Sequence, residues 1–387
     1  MTTVVVGGAL ANRPGNGGGA WVRLNWILGL RRLGCHVHFV EELGRAACTD
    51  AAGAPAAFSE SVNLAWFRRV TTQLGLGEVT TVVYDGGPET DGLPYASLLD
   101  LAGSADLLVN LGGHVASEPL FRRFRKKVYV DLDPGFTQAW HAAGNDGARL
   151  AGHDQYYSVG ANVGRPDCPI PGCGVDWRPI RPPVVLNQWP MADSPADWRF
   201  TTVGNWRGPF GPVEIGGQTM GLKIHEFRRF FDLPARTGLA FEAALNIHPA
   251  DAKDREALRR HAWRLADPAE VAGDPSAFRD YVLGSAAEFS AAQGVYVGTN
   301  SGWFSDRTAC YLAAGRPALA QDTGFGRTIP VGEGLIPFRT PDEAAAGAVR
   351  IAREYDRHCR AARAIAEEYF DSDRVLGRLL KQVQVAA

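Results

Sequence analysis

Eight prolines fall within the span Pro166–Pro195: Pro166, Pro169, Pro171, Pro179, Pro182, Pro183, Pro190 and Pro195. Each fixes φ and removes a backbone donor, so this span excludes a helix or an interior strand. On either side of it the hydrophobic pattern alternates between short apolar runs and helical periodicity. Before it, Val4–Val6, His36–Val40, Thr80–Tyr84, Ala105–Asn110 and Lys127–Asp131 read as strands. Trp21, Leu24, Ile27 and Leu28 share a helical face that Gly34 ends. After it, Thr201–Val203, Phe241–Ile247, Val295–Val297 and Ala318–Gln321 read as strands, with helices at Ala252–Leu265, Phe278–Phe289, Arg307–Ala314 and Asp342–Phe370. Strands alternating with helices imply parallel sheets with crossover helices. The fold class is therefore α/β: two Rossmann-like, doubly wound parallel-sheet domains facing a cleft. A length of 387 residues suits two such domains. Ligands of such sheets bind beyond the carboxyl ends of the strands.

Charge narrows the function. Forty Lys and Arg against forty-two Asp and Glu leave a net charge of −2, which argues against nucleic-acid binding and against a polybasic membrane patch. No apolar run approaches the ~20 residues of a membrane-spanning helix. Met1–Gly8 has no basic segment before its apolar run and reads as a strand, not an export signal. The six cysteines carry no disulfide pattern, so the expectation is a reduced, cytoplasmic chain. Cys168 and Cys173 have no second thiol pair nearby, and no metal site is expected.

The forty-five glycines gather where strands meet helices. Asn16-Gly17-Gly18-Gly19 opens the first helix, where free N–H groups attract anions and glycine admits close approach. The same loop fits a dinucleotide fingerprint as Gly15-x-Gly17-x-x-Ala20, with Glu41 or Glu42 as ribose partner. An NAD(P)-dependent oxidoreductase is thus the rival reading. In the second half, Gly298–Thr308 runs from an apparent strand into a helix, and Ser301, Gly302, Ser305, Asp306 and Arg307 suit a diphosphate. Asp322-Thr323-Gly324 closes the next strand. Gly204, Arg207 and Lys223 stand at two further element ends. His114 titrates near neutrality by default. Asp131 and Asp133 follow another strand as candidate bases or turn residues before Pro134.

The string Leu312-Ala313-Ala314-Gly315-Arg316-Pro317, continuing to Gln321-Asp322-Thr323-Gly324, resembles the donor half of GT-B glycosyltransferases. The Gly-rich loop before the first helix resembles their acceptor half, notably in family 4 and family 1 type members. Tyr369–Leu376 resembles the segment that crosses back to the first domain. The resemblance implies an acceptor domain at 1–180, a connector at 181–198, a donor domain at 199–368 and a returning helix at 369–387. It implies transfer of a sugar from a nucleoside diphosphate sugar, as co-substrate, to a small-molecule acceptor such as a natural product, with no metal and no tightly bound cofactor. By similarity Gly204, Arg207 and Lys223 contact phosphate and His114 is functional. Asn16, Gly17, Gly18 and Gly19 are expected on the acceptor side. The family 4 pattern has two glutamates where this chain has Gly302 and Cys310. A non-catalytic partner protein of the same fold is the reading that this departure favours.

Overall fold

A computed structural model describes residues 2–191, 193–208 and 210–385. Met1, Ala192, Pro209, Ala386 and Ala387 lie outside the described residues. Sixteen strands are present among those described. In chain order they are β1 (Thr3–Gly7), β2 (His36–Leu43), β3 (Thr80–Tyr84), β4 (Thr90–Asp91), β5 (Leu107–Leu111), β6 (Lys127–Asp131), β7 (Gln155–Ser158) and β8 (Trp177–Pro179). There follow β9 (Phe200–Asn205), β10 (Val213–Ile215), β11 (Gln218–Met220), β12 (Phe241–Asn246), β13 (Arg264–Leu265), β14 (Ala287–Ser290), β15 (Ala318–Gln321) and β16 (Leu335–Phe338).

The first eight strands form one sheet, in the order β4-β3-β2-β1-β5-β6-β7-β8. All its pairs are parallel except β3 with β4. A second, fully parallel sheet runs β13-β12-β9-β14-β15-β16. The central strands are buried along their length, as expected where helices cover both faces. In each sheet the strand order reverses beside the first strand, at β1/β5 and at β9/β14. Such a reversal opens a crevice at the carboxyl ends.

The proline-rich span supplies β8, an edge strand whose last residue is Pro179, the place where a sheet tolerates proline. Beyond it, Val184 exchanges backbone hydrogen bonds with Phe370 and Ser372 (2.7 and 2.9 Å). The helix Ser372–Gln382 then lies along the helix Gly17–Arg32, tied by Arg32–Asp373 at 2.9 Å.

Four elements differ from the sequence expectation. Val295–Val297 belongs to a short helix, Gly294–Gly298. Val-Tyr-Val favours a strand by propensity, but here the Val297 and Thr299 N–H groups donate back to Gln293 and Val295. The expected helix Phe278–Phe289 ends at Leu283, and its tail becomes β14. Ala287-Glu288-Phe289-Ser290 lacks β-branched residues, and only pairing with β9 and β15 makes it a strand. Ala252–Leu265 stops at Arg260 and continues into β13. Asp342–Phe370 is two helices, Pro341–Arg353 and Tyr355–Tyr369, broken at Glu354.

Gly17 sets how closely the two halves meet. A Cβ there would lie 2.0 Å from the Asp274 carbonyl oxygen, at the start of the helix Pro275–Leu283. Trp21, one turn on, donates its indole N–H to the Pro275 carbonyl at 2.8 Å. Gly17→Ala is therefore expected to cost ~1–3 kcal/mol in urea unfolding, as overpacking does. Gly377→Ala, in a helix where a Cβ meets open space, is expected to gain roughly 0.4–1 kcal/mol. Equal effects of the two substitutions would contradict the tight contact.

Candidate functional site

The carboxyl ends of both sheets line one cleft of about 820 Å³. From the first half come Asn16, Gly18, Gly19, Gly112, His114 and Asp133. From the second come Gly204, Asn205, Lys223, Ser305, Asp306 and Arg307. Among the sequence candidates, Gly17, Asp131, Arg207, Ser301, Gly302, Asp322, Thr323 and Gly324 do not line it.

Arg307 is the fixed cation of the second half. It sits at the start of the helix Asp306–Ala313 and binds Glu288 on β14, the Val203 carbonyl on β9 (2.7 Å) and Ser290 Oγ (2.8 Å). Glu288 is 0% exposed, and its second oxygen has no hydrogen-bond partner. Lys223 opens the short helix Lys223–Phe227. A Cβ on Gly204 would lie 3.5 Å from both Lys223 Nζ and Arg307 Nη1, so glycine leaves the two cations side by side over the end of β9. Lys223 has no ion-pair partner among the described residues. Burial, and then the charge of Arg307, push its pKa down to about 7. Ser305 holds the cap position of the following helix, yet its hydroxyl makes no capping bond. A buried lysine without an ion-pair partner among the described residues, beside a part-buried arginine, is an arrangement whose chemistry suits a multiply charged anion.

Arg207 is placed elsewhere. Its half-exposed guanidinium grips Asp251 in a two-pronged pair, both contacts at 2.7 Å. The guanidinium that stands beside Gly204 and Lys223 is that of Arg307. Ser301, Gly302 and Gly324 join the two halves instead. Asn162, just beyond β7, donates to the carbonyls of Asn300 and Gly324, and Gly302 abuts it. Thr323 donates to the Trp303 carbonyl, and Asp322 accepts from Gly324 and from Arg339.

In the first half, Asp131 is a scaffold. Its buried carboxylate accepts from Thr137 Oγ1 (2.7 Å), Gln138 Nε2 (2.9 Å), Ser158 Oγ (2.7 Å) and the Asp133 N–H (3.0 Å). Asp133 is presented to the cleft and accepts one bond, from Tyr296 Oη at 3.2 Å. Burial, then the neighbouring charge of Asp131, raise the Asp133 pKa to about 6. His114 moves the other way, down to about 3, through burial and through Arg23, Arg13 and Arg149 in that order. At neutral pH His114 is an uncharged imidazole of very low basicity, while Asp133 is an ionised carboxylate near the optimum for a general base.

The Gly-rich loop is spent largely on structure. Asn16 Oδ1 caps the Gly19 N–H at 2.7 Å, and Gly17 packs on Asp274. Glu41 is fully buried and accepts from the N–H groups of Leu10 and Ala11 (both 2.6 Å) and of Asn12 (2.7 Å). Glu42 accepts from Ala116 and Ser117. Neither carboxylate is free for a ribose, which removes the physical basis of the dinucleotide reading. Cys168 and Cys173 direct their thiols at the Thr299 and Gln138 carbonyls, not at each other.

Among the cleft residues that escaped the sequence reading are Arg13, Arg23, Arg149 and Tyr296. One signal for Arg23 is its place between Val22 and Leu24 in the mostly apolar first helix, four residues after Gly19.

The whole chain matches solved structures of GT-B glycosyltransferases. Anabaena Alr3699/HepE in complex with UDP and glucose superposes with a TM-score of 0.63 at 13% identity, over 99% of this chain and 100% of that one. An alpha-glucosyltransferase in complex with UDP gives 0.59 at 13%, over 99% and 100%. AviGT4, a glycosyltransferase involved in avilamycin A biosynthesis, gives 0.56 at 14%, over 99% and 97%. The alpha-glucosyltransferase is also known with a 13-mer DNA containing an HMU base. No family model matches the sequence, and no curated protein matches it. The chain has the GT-B glycosyltransferase fold. No helix among the described residues is long and apolar enough to cross a membrane.

A raised carboxyl pKa has a stability consequence. The folded state holds the Asp133 proton more tightly than the unfolded chain, so this group's stabilising effect is present below pH 3.8 and is lost as pH rises to about 6. Asp133→Asn removes that loss. Its unfolding free energy relative to the parent is expected to improve by ~1–3 kcal/mol between pH 4 and pH 8. Parallel pH–stability curves would show that Asp133 titrates normally.

Proposed function

We propose that this chain is a glycosyltransferase that moves a sugar from a nucleoside diphosphate sugar to a hydroxyl of a small-molecule acceptor. The observation that carries the reading is the pair Lys223 and Arg307, held side by side over Gly204 at the switch point of the second sheet. The bond that breaks joins the anomeric carbon to a diphosphate oxygen, and negative charge accumulates on that leaving group. Preoriented cations in a water-poor cleft stabilise such charge without reorganising. The acceptor oxygen bonds to the anomeric carbon, and its proton passes to Asp133. Tyr296 holds that carboxylate through one hydrogen bond, and Asp131 fixes its backbone. Uncharged His114 serves as a hydrogen-bonding wall of the sugar site, not as the base. Complexes of the GT-B neighbours with UDP support this class of donor.

Lys223 is the cleaner probe, because removing Arg307 strands the buried Glu288 and costs stability by itself. Lys223→Ala is expected to weaken UDP binding tenfold or more in calorimetry, while Arg207→Ala leaves it unchanged. The protein's affinity for UDP is also expected to fall as pH rises above about 7, where the empty-cleft lysine loses its proton. At pH 8 binding then takes up a proton, visible as a dependence of the heat on buffer, and Lys223→Ala abolishes the uptake. UDP affinity equal in parent and Lys223→Ala would refute the donor site.

A further inference from the structure

The first-half wall of the cleft carries three arginines that the transfer chemistry above does not use. Arg13 lies in the loop before the helix Gly17–Arg32, Arg23 is within that helix, and Arg149 precedes β7. None has an acidic partner within ion-pair distance among the described residues, and all three line the cleft. Arg23 is the most constrained. It is 7% exposed, lines the cleft, donates once to the Gly19 carbonyl at 3.1 Å, and its Nε has no hydrogen-bond partner. Arg149 donates to the Gly113 carbonyl at 3.3 Å, which sets it beside His114. A guanidinium sheltered from water with donors unspent is costly unless a ligand supplies the acceptor.

We propose that Arg13, Arg23 and Arg149 form a subsite for an anionic group, a phosphate or a carboxylate, carried by the acceptor. The proposal rests on the glycosyltransferase reading and names its acceptor class: a small hydroxylated anion rather than a neutral one. Guanidinium forks suit both groups because each offers paired oxygens. The site belongs to the first half, to its first helix and two of its loops, while Lys223 and Arg307 belong to the second half, so donor and acceptor charges are held by separate cation sets. His114 stands among the three arginines, and burial first, then their charge, keeps it neutral. Such a site also favours a carboxylate base: Arg13 and Arg23 both help to keep Asp133 ionised.

The test is calorimetry on the full chain with UDP already bound, titrating glucose 6-phosphate, glucuronate and glucose. At least one charged sugar is expected to bind tenfold or more tightly than glucose, and which one does separates phosphate from carboxylate. Arg23→Gln is expected to abolish that preference. Arg149→Ala, at an exposed residue that folding tolerates, is expected to reduce it at least threefold. Equal binding of charged and neutral sugars overturns the proposal, as does a preference that survives both substitutions. Loss of inorganic phosphate binding to the Lys223→Ala protein when UDP is added would also overturn it, by assigning the arginines to the donor diphosphate. Failure of the donor reading shows separately, as UDP binding indifferent to Lys223.

Discussion

The Arg307–Glu288 pair fixes the geometry on which the second half depends. Glu288 is on β14 and wholly buried; Arg307 starts the next long helix and also reaches the end of β9. One side chain therefore locks two neighbouring strands and a helix at the point where the strand order reverses. A buried ion pair of this kind adds little net stability, since desolvation cancels most of the attraction. What it fixes is position. With Arg307 held from behind by Glu288, its charge faces a cleft where Lys223 has no counter-ion. Burial first, and then the charge of Arg307, lower the lysine's pKa.

The first half solves a different problem with the same means. Loops at the ends of β1, β2 and β6 would leave backbone N–H groups bare, and buried carboxylates collect them. Glu41 gathers three from the loop after β1, and Asp131 gathers one with three side-chain donors. Both are saturated and so have no capacity left for a ligand. Asp133, with a single weak partner, is the acid whose oxygens remain available. Counting hydrogen bonds thus separates scaffold from chemistry among residues of one type. It does the same for cations: Arg207 is satisfied by Asp251, while Arg307's neighbour Lys223 is not.

Much of the fold was legible in the sequence because parallel strands buried on both faces leave apolar runs. Thr80–Tyr84, Lys127–Asp131 and Ala318–Gln321 coincide with β3, β6 and β15. β14 was hidden because half of its residues, Glu288 and Ser290, are there for Arg307, and a strand recruited for polar work loses its apolar signature. The cleft was legible as glycine clusters at strand ends. Which residues face it was not. Sequence order put Arg207 near Gly204, but three-dimensional approach put Arg307 there, more than a hundred positions away. Glycine likewise misled in detail: Gly17 and Gly302 serve the contact between the halves, where backbones meet too closely for a Cβ.

A net charge of −2 conceals how unevenly charge is distributed. On the surface, many acidic and basic side chains pair locally, as Arg68 does with Asp91 and Arg357 with Glu333. In the cleft, Arg13, Arg23, Arg149, Lys223 and Arg307 face Glu42, Asp133 and Asp306, a local excess of cations in a poorly solvated space. Low dielectric makes that excess more expensive than the same charges in water. The empty cleft is thus a strained arrangement that fold stability elsewhere must offset, as sites of function often require. An anion entering it relieves the strain and gains binding energy from charges already in place. Under the proposed reading, the energy spent in folding those cations together is recovered when a charged ligand binds, and this coupling, rather than any single contact, would set the selectivity of the site.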